Sequence, residues 1–194
     1  MEHIEVPERP KAILYDNAGL SLADFREELE QTLSSSLFEF REGRKLGGAG
    51  TPFPTLELIL AFAAGATSTI ITSALSELGK DIYQSLKGKL FKKPFKNDST
   101  MDFIIKIIIP DIITIGRIRT DNHNDVIEVL KNVNEMVDDA NKINVSKIEQ
   151  SSIERVWDRD KLITERCNFV FHYEYDASAA KWVLVKIARI EKVF

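Results

Sequence analysis

Residues 103–119 read FIIKIIIPDIITIGRIR, and this stretch decides the predicted fold. Before Pro110-Asp111 the residues are aromatic or β-branched apart from Lys106, and branched residues resume directly afterwards, a composition typical of strands. The proline–aspartate pair is a turn signal, so the pattern predicts a β-hairpin that turns there. We expect its first strand to be buried on both faces and its second to become polar at Arg117 and Arg119.

A second hairpin is predicted near the C-terminal end of the sequence. Apolar and polar residues alternate from Cys167 to Tyr175, a turn follows, and residues 182–190 return. The period of two places four aromatic residues on one face and His172 with Glu174 on the other. It also separates Cys167 from His172, which argues against a nucleophile–base pair, and we interpret Cys167 as a small buried hydrophobe.

Helices and strands are predicted on both sides of the first hairpin. Residues 11–15 and 37–40 are predicted strands that flank a helix capped by Ser21, and we expect the two strands to be parallel. After the hairpin, Asp121 or Asn122 is predicted to cap a helix. Its apolar stripe comprises Val126, Val129, Leu130, Val133, Val137 and Ala140. A further short helix is predicted over residues 148–157.

The longest predicted helix begins near Pro54 or Thr55 and ends at Lys92-Lys93-Pro94. Residues 58–76 within it are uncharged, close to the ~20 residues that a helix needs to cross a bilayer. Its later part is amphipathic. The stripe there comprises Ile71, Leu75, Leu78, Ile82, Leu86 and Leu90.

These elements predict an α+β fold. It has a mixed β-sheet, an N-terminal strand–helix–strand unit, one long central helix, a further helix and a C-terminal hairpin. At 194 residues with 44% hydrophobic content, the chain suits a single folded domain. We divide it into a main unit over 11–140 and a C-terminal extension over 141–194.

Charge is unevenly distributed along the chain. The net charge of −4 arises from segments of −6 (1–40), +5 (41–96) and −3 (97–194). The overall acidity argues against a nucleic-acid-binding protein. The basic segment nevertheless ends in a group of lysines that we predict, as an alternative to simple solvation, to contact an anion or lipid. These are Lys87, Lys89, Lys92, Lys93 and Lys96.

Catalytic and metal-binding motifs are not recognisable. The three histidines lie in separate predicted elements, which argues against a metal site. Gly47–Gly50 lack the spacing of a phosphate- or dinucleotide-binding loop. We therefore predict no enzymatic activity, no metal and no cofactor. The single Cys167 and the absence of a signal-peptide pattern predict a cytoplasmic protein.

The order of these elements resembles a known family. A strand–helix–strand start, the glycine segment Gly47–Gly50, the long helix over Leu58–Leu78 and its lysine end at Lys87–Lys96 are similar to effector-associated constant component domains. The resemblance covers residues 11–140. Those domains are small bacterial modules encoded beside proteases and other effectors of defence systems, and they are regarded as non-catalytic adaptors. The resemblance implies an adaptor role and no catalytic residue.

Three functional hypotheses follow, of which the least favoured is an unrecognised enzyme with a pocket near His172 and Glu174. The first is a bacterial interaction module that binds a protein partner, or a second copy of itself, through the long helix or an exposed sheet edge. Its partner-binding residues would be Leu75, Leu78, Ile82 and Leu86, provided that they are exposed. The second is a protein associated with the inner membrane, in which residues 55–78 insert and the lysines anchor.

Overall fold

The computed structural model describes residues 9–16, 23–42, 55–63, 65–90, 100–143, 153–157 and 167–193. The strands in these residues are β1 (Lys11–Asp16), β2 (Glu39–Glu42), β3 (Thr55–Ala61), β4 (Met101–Ile109), β5 (Asp111–Thr120), β6 (Ile153–Trp157), β7 (Cys167–Asp176) and β8 (Lys181–Val193). The helices are α1 (Ala23–Ser35), α2 (Ser68–Leu90), α3 (His123–Lys131) and α4 (Asn134–Lys142).

The eight strands form one mixed sheet in the order β2-β1-β3-β4-β5-β7-β8-β6. The β1–β2, β3–β4, β5–β7 and β6–β8 pairs are parallel, and the other three pairs are antiparallel. This arrangement confirms the predicted α+β class. The parallel β1–β2 pair and both hairpins are confirmed as well, and strands from either side of residue 140 belong to the same sheet.

The first hairpin is the centre of the sheet. β4 lies between β3 and β5 and is buried along most of its length. This burial agrees with its run of isoleucines. Pro110 lies between the two strands, and Asp111 adopts a φ of 71°. Aspartate tolerates this left-handed conformation better than a branched residue does. The turn fixes the register in which Ile109 pairs with Ile112.

All four helices contribute to one core cluster on a single face of the sheet. α2 contacts α1, α3 and α4. The predicted apolar stripe after the first hairpin is buried throughout, although it spans the two helices α3 and α4 rather than one. Asn122 caps α3, since its side chain accepts a hydrogen bond from the Asn124 backbone N–H at 2.9 Å.

The opposite face of the sheet, called the open face below, carries a second apolar cluster and several charged groups. Ile59, Ile108, Ile113 and Val170 are buried there, and no described helix contributes to this cluster. Cys167 belongs to the same cluster because the β5–β7 register shifts next to it. The prediction that Cys167 is buried is confirmed, but its predicted place beside the aromatic residues is wrong.

The predicted helix from residue 55 is wrong in its first part. Residues Thr55–Ala61 form β3, which pairs with β1 and β4, and α2 begins at Ser68. An interior strand covered on both faces is apolar on nearly every side chain, so its pattern is the same as that of a buried helix. The long helix itself is confirmed over Ser68–Leu90.

The predicted helix over 148–157 is also wrong within the described part of the chain. Residues Ile153–Trp157 form β6, a parallel edge strand beside β8. Three other predicted features lie outside the described residues. They are the Ser21 cap, the glycine segment Gly47–Gly50 and the helix end at Lys92-Lys93-Pro94.

Candidate functional site

The predicted partner-binding stripe of α2 is core. Leu75, Leu78 and Ile82 are 0%, 2% and 1% exposed, and they share a cluster with Leu56 and Leu58 of β3. An apolar stripe that is fully covered within one chain is not available to a partner. The prediction that these residues bind a partner is therefore corrected, while the side chain of Leu86 lies outside the described residues.

The lysine group remains a prediction. Lys87 and Lys89 belong to the last turns of α2, but their side chains are not described, and Lys92, Lys93 and Lys96 lie outside the described residues. Among the described helices, none combines the length and apolar character needed to cross a membrane. The segment 55–78, predicted to insert as one helix, is divided between β3 and the first half of α2.

One stretch of β8 is an exposed sheet edge. β8 pairs with β7 from Lys181 to Arg189, whereas β6 pairs with Arg189–Val193 alone. Within the described residues, no strand lies beside Lys181–Val185 on the side away from β7. We call this stretch the β8 edge. An unpaired edge of this kind can hydrogen-bond an added strand through its backbone.

Two valines give the β8 edge an apolar surface. Val183 is 40% exposed and Val185 is 56% exposed. Tyr173 pairs with Leu184 and His172 with Lys186, so Val185 is the additional residue of a β-bulge. Lys181 and Lys186 lie at either end of the valines and are exposed. The sequence predicted the hairpin, but it gave no sign of how little of β8 the next strand would cover.

A charged cluster occupies the open face at the centre of the sheet. Arg117 Nη2 lies 2.5 Å from Asp102 Oδ2, and Arg119 Nε lies 3.0 Å from Asp102 Oδ1. The Asp102 side chain is 4% exposed, while both arginine side chains are 50% exposed. Two solvent-facing guanidinium groups are thus held by one buried carboxylate. We call these three residues the Asp–Arg cluster.

Burial alone would raise the pKa of Asp102. The hydrogen bonds and positive charges of Arg117 and Arg119 outweigh that effect, so the pKa of Asp102 lies below its ordinary value of 3.8. Asp102 is therefore ionised at neutral pH.

The hairpin predicted from the sequence already implies the relative positions of the three residues in the Asp–Arg cluster. A turn at Pro110-Asp111 brings Asp102 opposite Arg119, and the period of two places Arg117 on the same face. The two arginines stand out in the sequence as the polar end of β5, whereas their carboxylate partner Asp102 was not predicted. The strand register that this turn implies is enough to identify Asp102 as the residue opposite Arg119.

A second ion pair lies nearby on the open face. Lys106 Nζ is 2.7 Å from Glu57 Oε1, and both side chains are largely buried. Glu174 is exposed and pairs in register with Arg117 across β5 and β7. The described residues contain no group of three or more histidine, cysteine or carboxylate side chains that could hold a metal ion.

An open groove of about 1050 Å³ separates α2 from α4. Its α2 side presents hydroxyl groups, and Thr72 donates a hydrogen bond to Asp138 across the groove at 2.9 Å. Neither histidine nor cysteine occurs in the described lining. The described lining therefore offers these hydroxyls no imidazole that would activate a nucleophile.

Comparison of the chain with protein-family models, curated proteins and solved structures finds no match. The resemblance to effector-associated constant component domains therefore stays a prediction.

Proposed function

We propose that this chain is a non-enzymatic interaction module that binds an extended segment of a partner protein. The β8 edge is the binding surface in this proposal, and the partner adds a strand to it. The observation that carries the proposal is that β6 pairs with β8 at Arg189–Val193 and no described strand covers Lys181–Val185. A link to bacterial defence systems rests on the resemblance in element order alone.

Strand addition draws on backbone groups for affinity and on alternate side chains for specificity. β8 supplies the rigid half of such a ladder because β7 already holds it on the other side. Val183 and Val185 offer apolar contacts to the incoming strand. Cross-strand apolar pairs of this kind contribute roughly 0.2–1 kcal/mol each.

The charges at the β8 edge favour an acidic partner over a second copy of this chain. Lys181 and Lys186 lie near the two ends of the stretch, and β8 has no acidic residue between them. On the β7 side, Asp176 stands opposite Lys181 and Glu174 opposite Val183, so the lysines are the charges that β8 itself presents to an added strand. Two copies paired along this edge would bring four lysines into one short ladder. Edge lysines are a common protection against self-association, whereas opposite charges across strands are stabilising.

The cysteine content of the chain bears on the compartment in which this binding would take place. Cys167 is the one cysteine of the sequence, and it is buried among aliphatic side chains. This usage supports a reducing compartment, and we propose the cytoplasm.

Amide hydrogen exchange with a model peptide tests the proposal. The probe is a blocked peptide of alternating glutamate and valine, about six residues long to match an ordinary strand. We expect it to slow exchange in residues 181–185, because strand addition protects edge amides. A peptide of equal length with lysine in place of glutamate should have no effect, since Lys181 and Lys186 would repel it.

Matched variants make the test specific. The double variant Val183→Glu/Val185→Glu should weaken binding of the acidic peptide at least about tenfold, through lost apolar contact and added repulsion. Ile70→Glu is the control, because Ile70 is 58% exposed but lies on α2. Equal protection by both peptides, protection confined to other residues, or equal loss of binding in the control would contradict the proposal.

A further inference from the structure

The Asp–Arg cluster has the form of a prepared anion site. Arg117 and Arg119 each direct one nitrogen to Asp102, at 2.5 and 3.0 Å, and half of each side chain remains exposed to solvent. Because both nitrogens contact the oxygens of one carboxylate, the two guanidinium groups lie close enough for a single oxyanion to contact both. Guanidinium groups match the geometry of phosphate and carboxylate oxygens.

Two neighbouring interior strands support the Asp–Arg cluster. β4 and β5 are interior strands of the sheet, and Asp102 stands directly opposite Arg119, although the pairing of β5 with β7 extends only as far as Arg117. A long, flexible arginine side chain loses much rotamer freedom when it grips a ligand. Here the bond to Asp102 restricts the guanidinium groups before any ligand arrives, which lowers that cost.

The charge balance leaves the cluster cationic. Asp102 neutralises one of the two arginine charges, so the three residues together carry a net charge of +1, which the exposed Glu174 in register with Arg117 partly offsets. Among the described residues, Asp102 is the only ion-pair partner of Arg117. The remaining N–H groups of Arg117 thus form no ion pair with any carboxylate in the described part of the chain.

We propose that Arg117 and Arg119 bind a small oxyanion, a phosphate or carboxylate group, on the open face of the sheet. This site is separate from the β8 edge, and it holds whether or not the β8 edge binds a partner. The affinity is modest because the site is open to water and Glu174 lies across from Arg117. We expect a dissociation constant on the order of 1 mM for free phosphate.

Titration with inorganic phosphate, followed by NMR of the arginine side-chain Nε–H groups, tests the proposal. Ionic strength is held constant with chloride. We expect saturable shifts of Arg117 and Arg119 with phosphate, and a parallel titration with acetate shows whether a carboxylate is accepted in its place. Shifts that follow ionic strength with chloride alone would refute a specific site.

Charge variants provide the decisive comparison. Arg117→Gln should weaken phosphate binding about tenfold, as expected for loss of one charge-assisted contact. Asp102 keeps Arg119 as a partner in this variant. A native circular dichroism spectrum, with an unfolding midpoint lowered only by the loss of the Arg117–Asp102 contact, would show that the sheet is intact. Arg41→Gln is the control, because Arg41 is an exposed arginine paired with Glu39 on the edge strand β2.

Glu174→Gln should have the opposite effect to Arg117→Gln and strengthen phosphate binding. Removing the negative charge that lies in register with Arg117 should tighten phosphate binding about twofold, as expected for an exposed charge in a water-like surrounding. Unaltered binding in Arg117→Gln, or equal weakening in Arg41→Gln, would overturn the proposal. Weaker binding in Glu174→Gln would also contradict it, since a bound anion cannot be favoured by a nearby carboxylate.

Discussion

Replacing Gly79 with alanine tests the close contact between α2 and α3. Gly79 lies within α2, where glycine costs about 1 kcal/mol relative to alanine by helix propensity. Propensity alone therefore predicts that Gly79→Ala stabilises the protein. The tertiary structure predicts the opposite. A Cβ at position 79 would lie 2.9 Å from the Leu130 carbonyl oxygen and 3.0 Å from that of Lys131.

The size of the expected loss in stability depends on which atoms must move to make room for the new Cβ. The two oxygens belong to the backbone of the last turn of α3, so no side-chain rotation relieves the contact. Overpacking of this kind costs about 1–3 kcal/mol, which exceeds the propensity gain. We expect Gly79→Ala to lower the free energy of unfolding by about 1 kcal/mol net. For a protein of this size that is a fall in Tm of roughly 2–4 °C.

Equilibrium urea unfolding, followed by circular dichroism, measures this change. Gly65→Ala is the control, because a Cβ at Gly65 would meet nothing within 4 Å. Its stability should stay within about 0.5 kcal/mol of the parent. A Gly79→Ala protein more stable than the parent would refute the reasoning, since it would mean that α3 retreats at no cost and that helix propensity decides the outcome.

Two further predictions concern titration. The pKa of Asp102 is lower in the folded state than its ordinary 3.8, so its stabilising effect is present above that value and is lost as the pH falls through the folded pKa. Asp102→Asn should flatten the acid limb of a stability-against-pH curve measured by urea unfolding; an unchanged limb would contradict the prediction. Burial, then the charge and hydrogen bond of Asp139, raise the pKa of Tyr173. Ultraviolet titration of the folded protein should therefore give the same curve for Tyr173→Phe as for the parent below about pH 12, whereas loss of one ionising phenol would exclude this environment. The same variant should cost about 1 kcal/mol in urea unfolding, because Tyr173 Oη donates a hydrogen bond to Asp139 Oδ2 at 3.1 Å.

The two hairpins and the α3 cap were predictable because their signals are local. Pro110-Asp111 ends one strand and begins the next, and this turn also sets the pairing of Asp102 with Arg119. Asn122 satisfies a backbone donor two residues away. Such features depend on neighbours in sequence, which the amino-acid order states directly.

The assignments that failed depend on neighbours far away in sequence. Residues 55–61 are largely apolar because Leu56, Leu58 and Leu60 belong to the core beneath the helices while Ile59 and Ala61 belong to the open-face cluster. Their pattern alone does not distinguish a strand from a buried helix. The stripe at Leu75 and Leu78 is apolar because α1 and α3 cover it, not because a partner does. In each case the sequence shows that the residues are apolar, but it does not show which strand or helix buries them.

The candidate sites divide in the same way. The sequence by itself determined that Arg117 and Arg119 share a strand face, and that residues 181–190 return as the second strand of a hairpin. The tertiary structure decided that Asp102 is buried beneath both arginines, and that β6 pairs with β8 from Arg189 onward and leaves the β8 edge exposed. The physical reason is that periodicity specifies which side chains share a face, whereas exposure depends on which distant strand or helix packs against that face.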